Sequence, residues 1–332
     1  MLFTPAGLEQ ATRAAVADLH ARRFAAAGCR RVIDLGCGIG TESLALQAAG
    51  IDVRPVEIDP FTAAIAAHNL GIEVTVGDAE SVGIGDADGA FLDPARRTSG
   101  HRDTRRLSSP GDYSPSLDFA FGLADRLPTG VKLGPGFDRE LIPDGAEAQW
   151  VSVDGQLVET GLWFGEVSRP GVRRAALVIR GDESHELTAA ADAADVGARR
   201  LGEYVYEPDG AVIRARLIGR LAEDLGAGMV GNGIAYLTAD EARPTPFAQA
   251  FRVREVLPAG EKALRRALAA RGIGRLEIKK RGVPVDPAAL RRRLRLAGPN
   301  TATLILTRAE LAESADAHVA LLADRVPAAA FG

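Results

Sequence analysis

The stretch Val32-Ile-Asp-Leu-Gly-Cys-Gly-Ile-Gly40 decides how this chain is read. An apolar run from Arg31 to Leu35 breaks into glycines at every second position, then continues as an Ala/Leu-rich segment ending at Gly50. That order is a strand, a tight turn and a helix. Gly36, Gly38 and Gly40 let the backbone bend sharply and approach a ligand closely, where a Cβ would intrude. A purely structural turn would use the same glycines, so the loop alone leaves both readings open. A dinucleotide site would space them GxGxxG, with its pyrophosphate on the helix N-terminus. Asp34, two residues ahead of the first glycine, instead suits a ligand carrying positive charge.

Working outward, Thr4-Pro5 reads as a cap and first helical residue, followed by apolar residues at helical spacing as far as Gly28. Val53 to Ile58, Ile72 to Val76 and Ala90 to Leu92 read as strands, with a helix from Asp59-Pro60 to Asn69. Strands alternating with helices predict an α/β fold: a mostly parallel sheet covered on both faces. Pro55 cannot donate to a central ladder and is expected at a strand start or bulge. Thr98 to Pro115 is a long polar, turn-rich loop, of the kind that is functional or mobile. Leu117 to Leu127 reads as a helix, and Val131 to Leu133, Gln149 to Val153 and Ala175 to Ile179 as strands. The acidic, Ala-rich segment from Gly181 to Asp195 reads as a boundary. Beyond it, Tyr204 to Tyr206, a helix over Val212 to Leu225 and Ile234 to Leu237 suggest a connecting βαβ-like unit. A further module then alternates strands and helices: Phe251–Val256, Glu261–Ala270, Leu276–Lys280, Pro287–Leu294, Thr303–Leu306 and His318–Leu322.

Two acids follow the glycine loop at the ends of the next strands, Glu57 in Pro-Val-Glu-Ile-Asp59 and Asp78 in Val-Gly-Asp-Ala-Glu80. Asp59 reads as the N-cap of the next helix. The fourth strand ends in Asp93-Pro-Ala-Arg-Arg97. Together these elements resemble the class I S-adenosylmethionine-dependent methyltransferases. The resemblance implies a Rossmann-like sheet and S-adenosyl-L-methionine as cofactor, held by Asp34, Gly36, Gly38, Gly40, Glu57, Asp78 and Ala79. Glu57 would take the ribose hydroxyls and Asp78 the adenine amino group. It also implies that Asp93 and the Pro94 carbonyl orient an acceptor amine, as in nucleic-acid enzymes reading Asp or Asn, Pro, Pro, aromatic at this place. Ala95 and Arg96 depart from that pattern, and the aromatic that would stack on the base is missing. Arg96 and Arg97 can stack on a base or pair with phosphate, or form salt bridges to the acidic domain.

Methyl transfer from a sulfonium is a direct displacement that asks mainly for alignment in a dry pocket. A chain without a Ser/His/Asp or Cys/His constellation can therefore still be catalytic. Of the histidines, only His101 falls in a loop expected to face the site. Cys29 and Cys37 are read as buried fillers, and no spacing suggests a metal. No cysteine follows the fourth strand, which disfavours a covalent pyrimidine C5 mechanism.

The 332 residues, 46% hydrophobic and 25% charged, suit a globular chain of about two domains, and the net charge of −4 hides a segregation. From Phe251 to Gly332 there are 16 Arg and Lys against 8 Asp and Glu, which leaves −12 on the preceding residues. Segregated positive charge is what a polyanion-binding domain needs, although a solvated basic face would look the same. Lys279, Lys280, Arg281, Arg291, Arg292 and Arg293 put six cations within 15 residues. Such clusters contact phosphates, and the scarcity of aromatics beside them favours backbone and shape recognition of structured RNA.

The whole chain also resembles actinobacterial-type methyltransferases that end in a THUMP-like domain. Phe3-Thr-Pro-Ala-Gly-Leu-Glu-Gln-Ala-Thr-Arg13, Tyr204-Val-Tyr-Glu-Pro-Asp209, Glu277-Ile-Lys-Lys-Arg-Gly282 and Leu290-Arg-Arg-Arg-Leu294 carry that resemblance. It implies a smaller C-terminal α+β module and an RNA substrate, tRNA or rRNA. Members often begin with more helical sequence, which points to a missing N-terminal helical segment.

The expected organisation is an N-terminal helix over 1–27, a donor-binding domain over 28–180, the connecting unit over 181–249 and the basic module over 250–328. The expected function is methylation of structured RNA at a base nitrogen. The alternatives are a small-molecule or protein methyltransferase, or a noncatalytic RNA-binding protein that keeps the cofactor fold. With no run of ~20 apolar residues and no leader-like N-terminus, the chain is expected to be cytoplasmic and away from membranes.

Overall fold

β1 (Arg31–Leu35) is buried along nearly its whole length, as a strand covered on both faces must be. In the computed structural model, which describes residues 1–4, 7, 11–96, 113–311 and 316–327 (the side chain of Arg96 excepted), β1 pairs in parallel with two neighbours. On one side lies β2 (Asp52–Glu57), followed by β3 (Thr75–Val76). On the other lies β4 (Gly89–Leu92). The chain then forms a small antiparallel pair, β5 (Ala95–Arg96) with β6 (Tyr113–Ser114). It returns to the sheet as β7 (Thr129–Leu133), parallel to β4. β8 (Glu147–Val153) and β9 (Gln156–Phe164) extend that edge in the order β3-β2-β1-β4-β7-β9-β8, with β9 antiparallel to β7.

Helices cover both faces of the parallel part. α1 (Ala14–Ala26) buries Val16, Ala17, His20, Ala21 and Phe24. With α2 (Thr41–Ala48) it closes a core around Val32, Val53, Phe91 and Trp163. On the opposite face α3 (Pro60–Leu70) packs Ala63, Ala66 and Leu70 against Cys37 and Val74. Asp59 caps α3 by accepting from the Thr62 N–H, and Pro60 occupies the first helical position. α4 (Leu117–Ala124) is capped by Ser116.

Pro55 sits inside β2, opposite Asp34, rather than at a strand start. Asp52 N–H and the Val56 carbonyl point to the β1 side, so by alternation the nitrogen of Pro55 points the other way. There β3 begins only opposite Val56, so no ladder bond is forfeited. β9 carries no clear apolar signal because buried Glu159 and Thr160 interrupt it.

The chain divides into two compact units, Met1–Val151 with Leu157–Ala175, and Ser152–Gln156 with Ala176–Gly332. β10 (Arg174–Arg180) and β11 (Glu183–Ala189) follow β9 in the chain. The segment expected as a boundary therefore contains a strand, hard to see because Leu187 is its one buried residue.

The second unit is built on a sheet of seven strands. These are β12 (Tyr204–Pro208), β13 (Gly228–Met229), β14 (Leu237–Ala239), β15 (Ala248–Leu257), β16 (Ile273–Lys280), β17 (Asn300–Ala309) and β18 (Ala317–Arg325). Their order is β13-β14-β12-β15-β18-β17-β16. The connecting region is not βαβ-like: β12 and β14 pair antiparallel, and the expected single helix is two. α5 (Gly210–Arg214) and α6 (Ile218–Leu225) are separated at Arg216, whose φ of 58° no continuous helix accepts. The parallel crossover lies further on, where β16 and β17 flank α8 (Pro287–Leu294). α7 (Glu261–Ala270) and α8 bury Leu264, Leu268, Leu290 and Leu294 on the same side as Ile278 and Leu322. The other side packs Val205, Tyr236, Phe251 and Leu321.

Among the described residues no helix is long and apolar enough to cross a membrane.

Candidate active site

The loop after β1 holds Gly36, Gly38 and Gly40 at φ 87°, 55° and 90°. All are left-handed conformations that glycine adopts without a Cβ penalty. The N–H groups of Gly36 and Cys37 both donate to the Val56 carbonyl, which ties the loop to the end of β2. Glu57, the next residue, locks it further: its Oε2 accepts from the Gly38 N–H and its Oε1 from the Asp59 N–H, each at 3.0 Å. Each carboxylate oxygen keeps a second lone pair for a hydroxyl.

These residues line a cavity of about 730 Å³ in the first unit, within the usual range for ligand sites. Asp34, Gly36, Gly38, Glu57, Asp78, Ala79, Asp93 and Pro94 all contribute to its wall. Gly40 does not; it is the N-cap residue of α2, where a Cβ would come within 3.0 Å of the Leu70 side chain. Asp78 is exposed, with Oδ1 accepting from the Glu80 N–H. Ile58, adjoining Glu57, lines the cavity yet is 62% exposed, an apolar surface with nothing packed on it.

Asp34 is buried, its Oδ2 accepts from the Ser43 hydroxyl at 2.5 Å, and its Oδ1 has no hydrogen-bond partner. Burial pushes its carboxyl up to about 7, against the Ser43 hydrogen bond, with Glu42 and Asp93 adding to the rise. An unpartnered buried carboxylate oxygen on a residue of the cavity wall can be satisfied by a water or a cation.

The structure adds a group that the sequence reading missed. Lys132 on β7 reaches the cavity, and its Nζ lies 2.5 Å from Asp93 Oδ2. Behind it His20 is 2% exposed between Glu42 Oε1 at 3.1 Å and Glu159 Oε1 at 3.0 Å. Burial alone would lower His20, but the two carboxylates overcome it and hold the imidazolium up to about 10. No local motif announces this cluster, since its members come from α1, α2, β7 and β9. Its one sequence signal was polar residues inside otherwise apolar periodic segments. Tyr113 was missed too: the pairing of β5 with β6 sets it opposite Arg96, and it lines the same cavity as Pro94 and Ala95. Arg97 and His101 lie outside the described residues.

In the second unit the six cations of the sequence cluster do not form one patch: Lys279 and Arg281 are engaged away from the others. Side chains alternate along β16, so Lys279 leaves the face that Ile278 shares with α7 and α8. Lys279 pairs with Glu207 at 2.6 Å and lies 5.5 Å from the Phe251 ring, and Arg281 lies over Tyr236 at 5.1 Å. Lys280 is exposed at the end of β16. On α8, Arg291 donates to the Leu276 carbonyl, Arg293 pairs with Glu261 of α7 at 2.9 Å, and Arg292 is exposed.

A chain of Porphyromonas gingivalis W83 described as a putative methyltransferase superposes with a TM-score of 0.75 at 22% identity, covering 97% of this chain and 82% of that one, which shows the fold. Uncharacterised S-adenosylmethionine-dependent methyltransferases from two strains of Mycobacterium tuberculosis are each 36% identical over 92% of this chain and 84% of their own length. The chain belongs to the S-adenosylmethionine-dependent methyltransferases. Residues 248–325 of this methyltransferase match the THUMP domain-like family. Its cofactor is S-adenosylmethionine, and the cavity residues fit that molecule on their own terms. Asp34 offers an unpaired buried carboxylate oxygen to a cationic group, and Glu57 a fixed carboxylate to a diol.

Proposed function

We propose that this enzyme methylates structured RNA, a tRNA or rRNA, at a base nitrogen, and that it does so in the cytoplasm. The observation that carries the reading is the outer face of α7 and α8 inside the THUMP-like match. There Lys262, Arg265, Arg266 and Arg292 are exposed on a helical layer whose inner side is sealed by leucines. Solvated cations spaced along two helices suit a phosphate backbone and carry no base code.

In this reading Asp34, Gly36, Gly38, Glu57, Asp78 and Ala79 hold the donor, with Gly40 shaping the loop. Bound S-adenosylmethionine supplies a methyl carbon made electrophilic by its sulfonium. Asp93 Oδ1 and the Pro94 carbonyl accept hydrogen bonds from the target amine and turn its lone pair toward that carbon. Transfer would leave the carbon–sulfur pair on sulfur, and the proton lost by nitrogen would pass to Asp93. Arg96, Arg97, Lys280, Arg291, Arg292 and Arg293 contact RNA, while Lys279 and Arg281 are held by Glu207 and Tyr236.

The test is labelled-donor transfer to RNA from a strain lacking the gene, followed by nucleoside mass spectrometry. A methylated base nitrogen is expected. Label confined to the protein or metabolite fraction would replace RNA as the substrate, and a 2′-O-methylnucleoside would move the acceptor from base to ribose.

A further inference from the structure

We propose that Lys132 is a positioning residue for methyl transfer: it grips one oxygen of Asp93, keeps that carboxylate an acceptor, and leaves the other oxygen for the substrate. The proposal rests on the assignment of Asp93 as the acceptor-orienting group.

Lys132 Nζ is 2.5 Å from Asp93 Oδ2, while the Asp93 side chain keeps 36% of its surface open and lines the cavity. The Asp93 N–H donates to the Leu35 carbonyl, so the residue is anchored at its backbone and at one carboxylate oxygen. Oδ1 is the oxygen left to a ligand.

The electrostatic surroundings explain why a cation is needed there. Asp34 on β1, Glu42 on α2 and Glu159 on β9 all lie within electrostatic reach of Asp93 or Lys132, and His20 on α1 sits between the two glutamates. Desolvation pushes the Asp93 carboxyl up and Glu159 and Glu42 add to it, with Lys132 pulling the other way. Without Lys132 the balance tips toward the protonated acid. A protonated Asp93 would donate a hydrogen bond where the amine needs an acceptor, and the amine lone pair would turn toward Asp93 instead of the methyl carbon. Lys132 in turn stays charged: burial lowers it, but Asp93, Glu159 and Glu42 outweigh that and raise it. His20 keeps Glu42 and Glu159 from overwhelming the pair.

Two variants shift the same group in opposite directions. Lys132→Met removes the cation, and Glu159→Gln removes a like charge while keeping a hydrogen-bonding group for His20. The Asp93 carboxyl is followed by ¹³C NMR in the full chain labelled at aspartate, with Asp93→Asn assigning the resonance. Its midpoint should move up by at least about one unit in Lys132→Met, move down in Glu159→Gln, and return toward wild type in Lys132→Arg. Transfer is then read against pH with labelled donor and the RNA, protein and metabolite fractions of the deletion strain. The acidic limb should move with the Asp93 midpoint, and kcat should fall about tenfold or more at pH 7 in Lys132→Met. Donor affinity by calorimetry should change less than about twofold. Unmoved midpoints, or midpoints that move without the acidic limb following, overturn the proposal. Label in a fraction other than RNA overturns the RNA reading and leaves this test intact. Loss of donor binding in Lys132→Met reassigns Lys132 to the donor site.

Discussion

The Gly38 N–H donates to Glu57 Oε2 at 3.0 Å, so the glycine loop after β1 and the acid that ends β2 form one unit. In the proposed donor site Glu57 therefore shapes the loop as well as lining the cavity. Glu57→Ala should weaken S-adenosylmethionine binding by about 10- to 100-fold, the loss of one or more charge-assisted hydrogen bonds. Glu57→Gln should recover part of it, because an amide oxygen still accepts from Gly38. Calorimetry on the three proteins checks both.

If Asp34 faces the cationic part of the donor, as proposed, donor binding should depend on pH. In the free protein burial holds its carboxyl at about 7, and a bound cation beside Oδ1 favours the ionised form. Affinity should therefore fall as pH drops below about 7, by up to about tenfold per unit, and binding near pH 6.5 should release a proton. Titrations in buffers of different ionisation enthalpy measure that proton directly. Equal heats in all buffers would refute the assignment.

The same carboxyl burdens the free fold. Unfolded Asp34 ionises near the ordinary value of about 3.9, whereas the native residue holds its proton to about 7. Native protein binds the extra proton between those values, so stability from this residue falls as pH rises from about 4 to 7 and stays low above. Asp34→Asn should raise the melting temperature at pH 8 while weakening donor binding at least about tenfold. Thermal melts at pH 4 and pH 8 separate the two effects.

His20 should be expensive to remove. His20→Ala leaves buried Glu42 and Glu159 facing each other without their cation, and such losses cost about 3–5 kcal/mol. Its raised value of about 10 means that the contribution is complete below about 6.5 and is lost as pH climbs through 10. Urea unfolding at pH 6 and pH 10 should show a difference for the wild type that His20→Ala lacks.

On the helical layer of the second unit, cations already engaged within the protein should matter less to RNA than free ones. Arg292→Ala should reduce the salt dependence of binding to total tRNA by about one phosphate contact. Arg293→Ala should reduce it less, because Glu261 already neutralises Arg293. Filter binding at several salt concentrations decides, and equal effects would mean that Arg293 leaves Glu261 for phosphate when RNA binds.

By itself the sequence determined the strand, loop and helix around Gly36, Gly38 and Gly40, the order of Glu57 and Asp78 behind them, and the basic bias of the last 82 residues. Each is a local signal: a backbone turn whose positive φ values favour glycine, an acid at a fixed strand end, or a charge count. What lay beyond reach depended on which strands became neighbours. Lys132 meets Asp93 because β7 pairs with β4, and His20 meets Glu159 because α1 packs on the sheet that β9 joins. Lys279 and Lys280 look like one patch until strand alternation puts them on opposite faces. Periodicity reports whether a residue is buried, whereas the charge it meets there is set by elements distant in the chain, and only the tertiary structure decided those pairings.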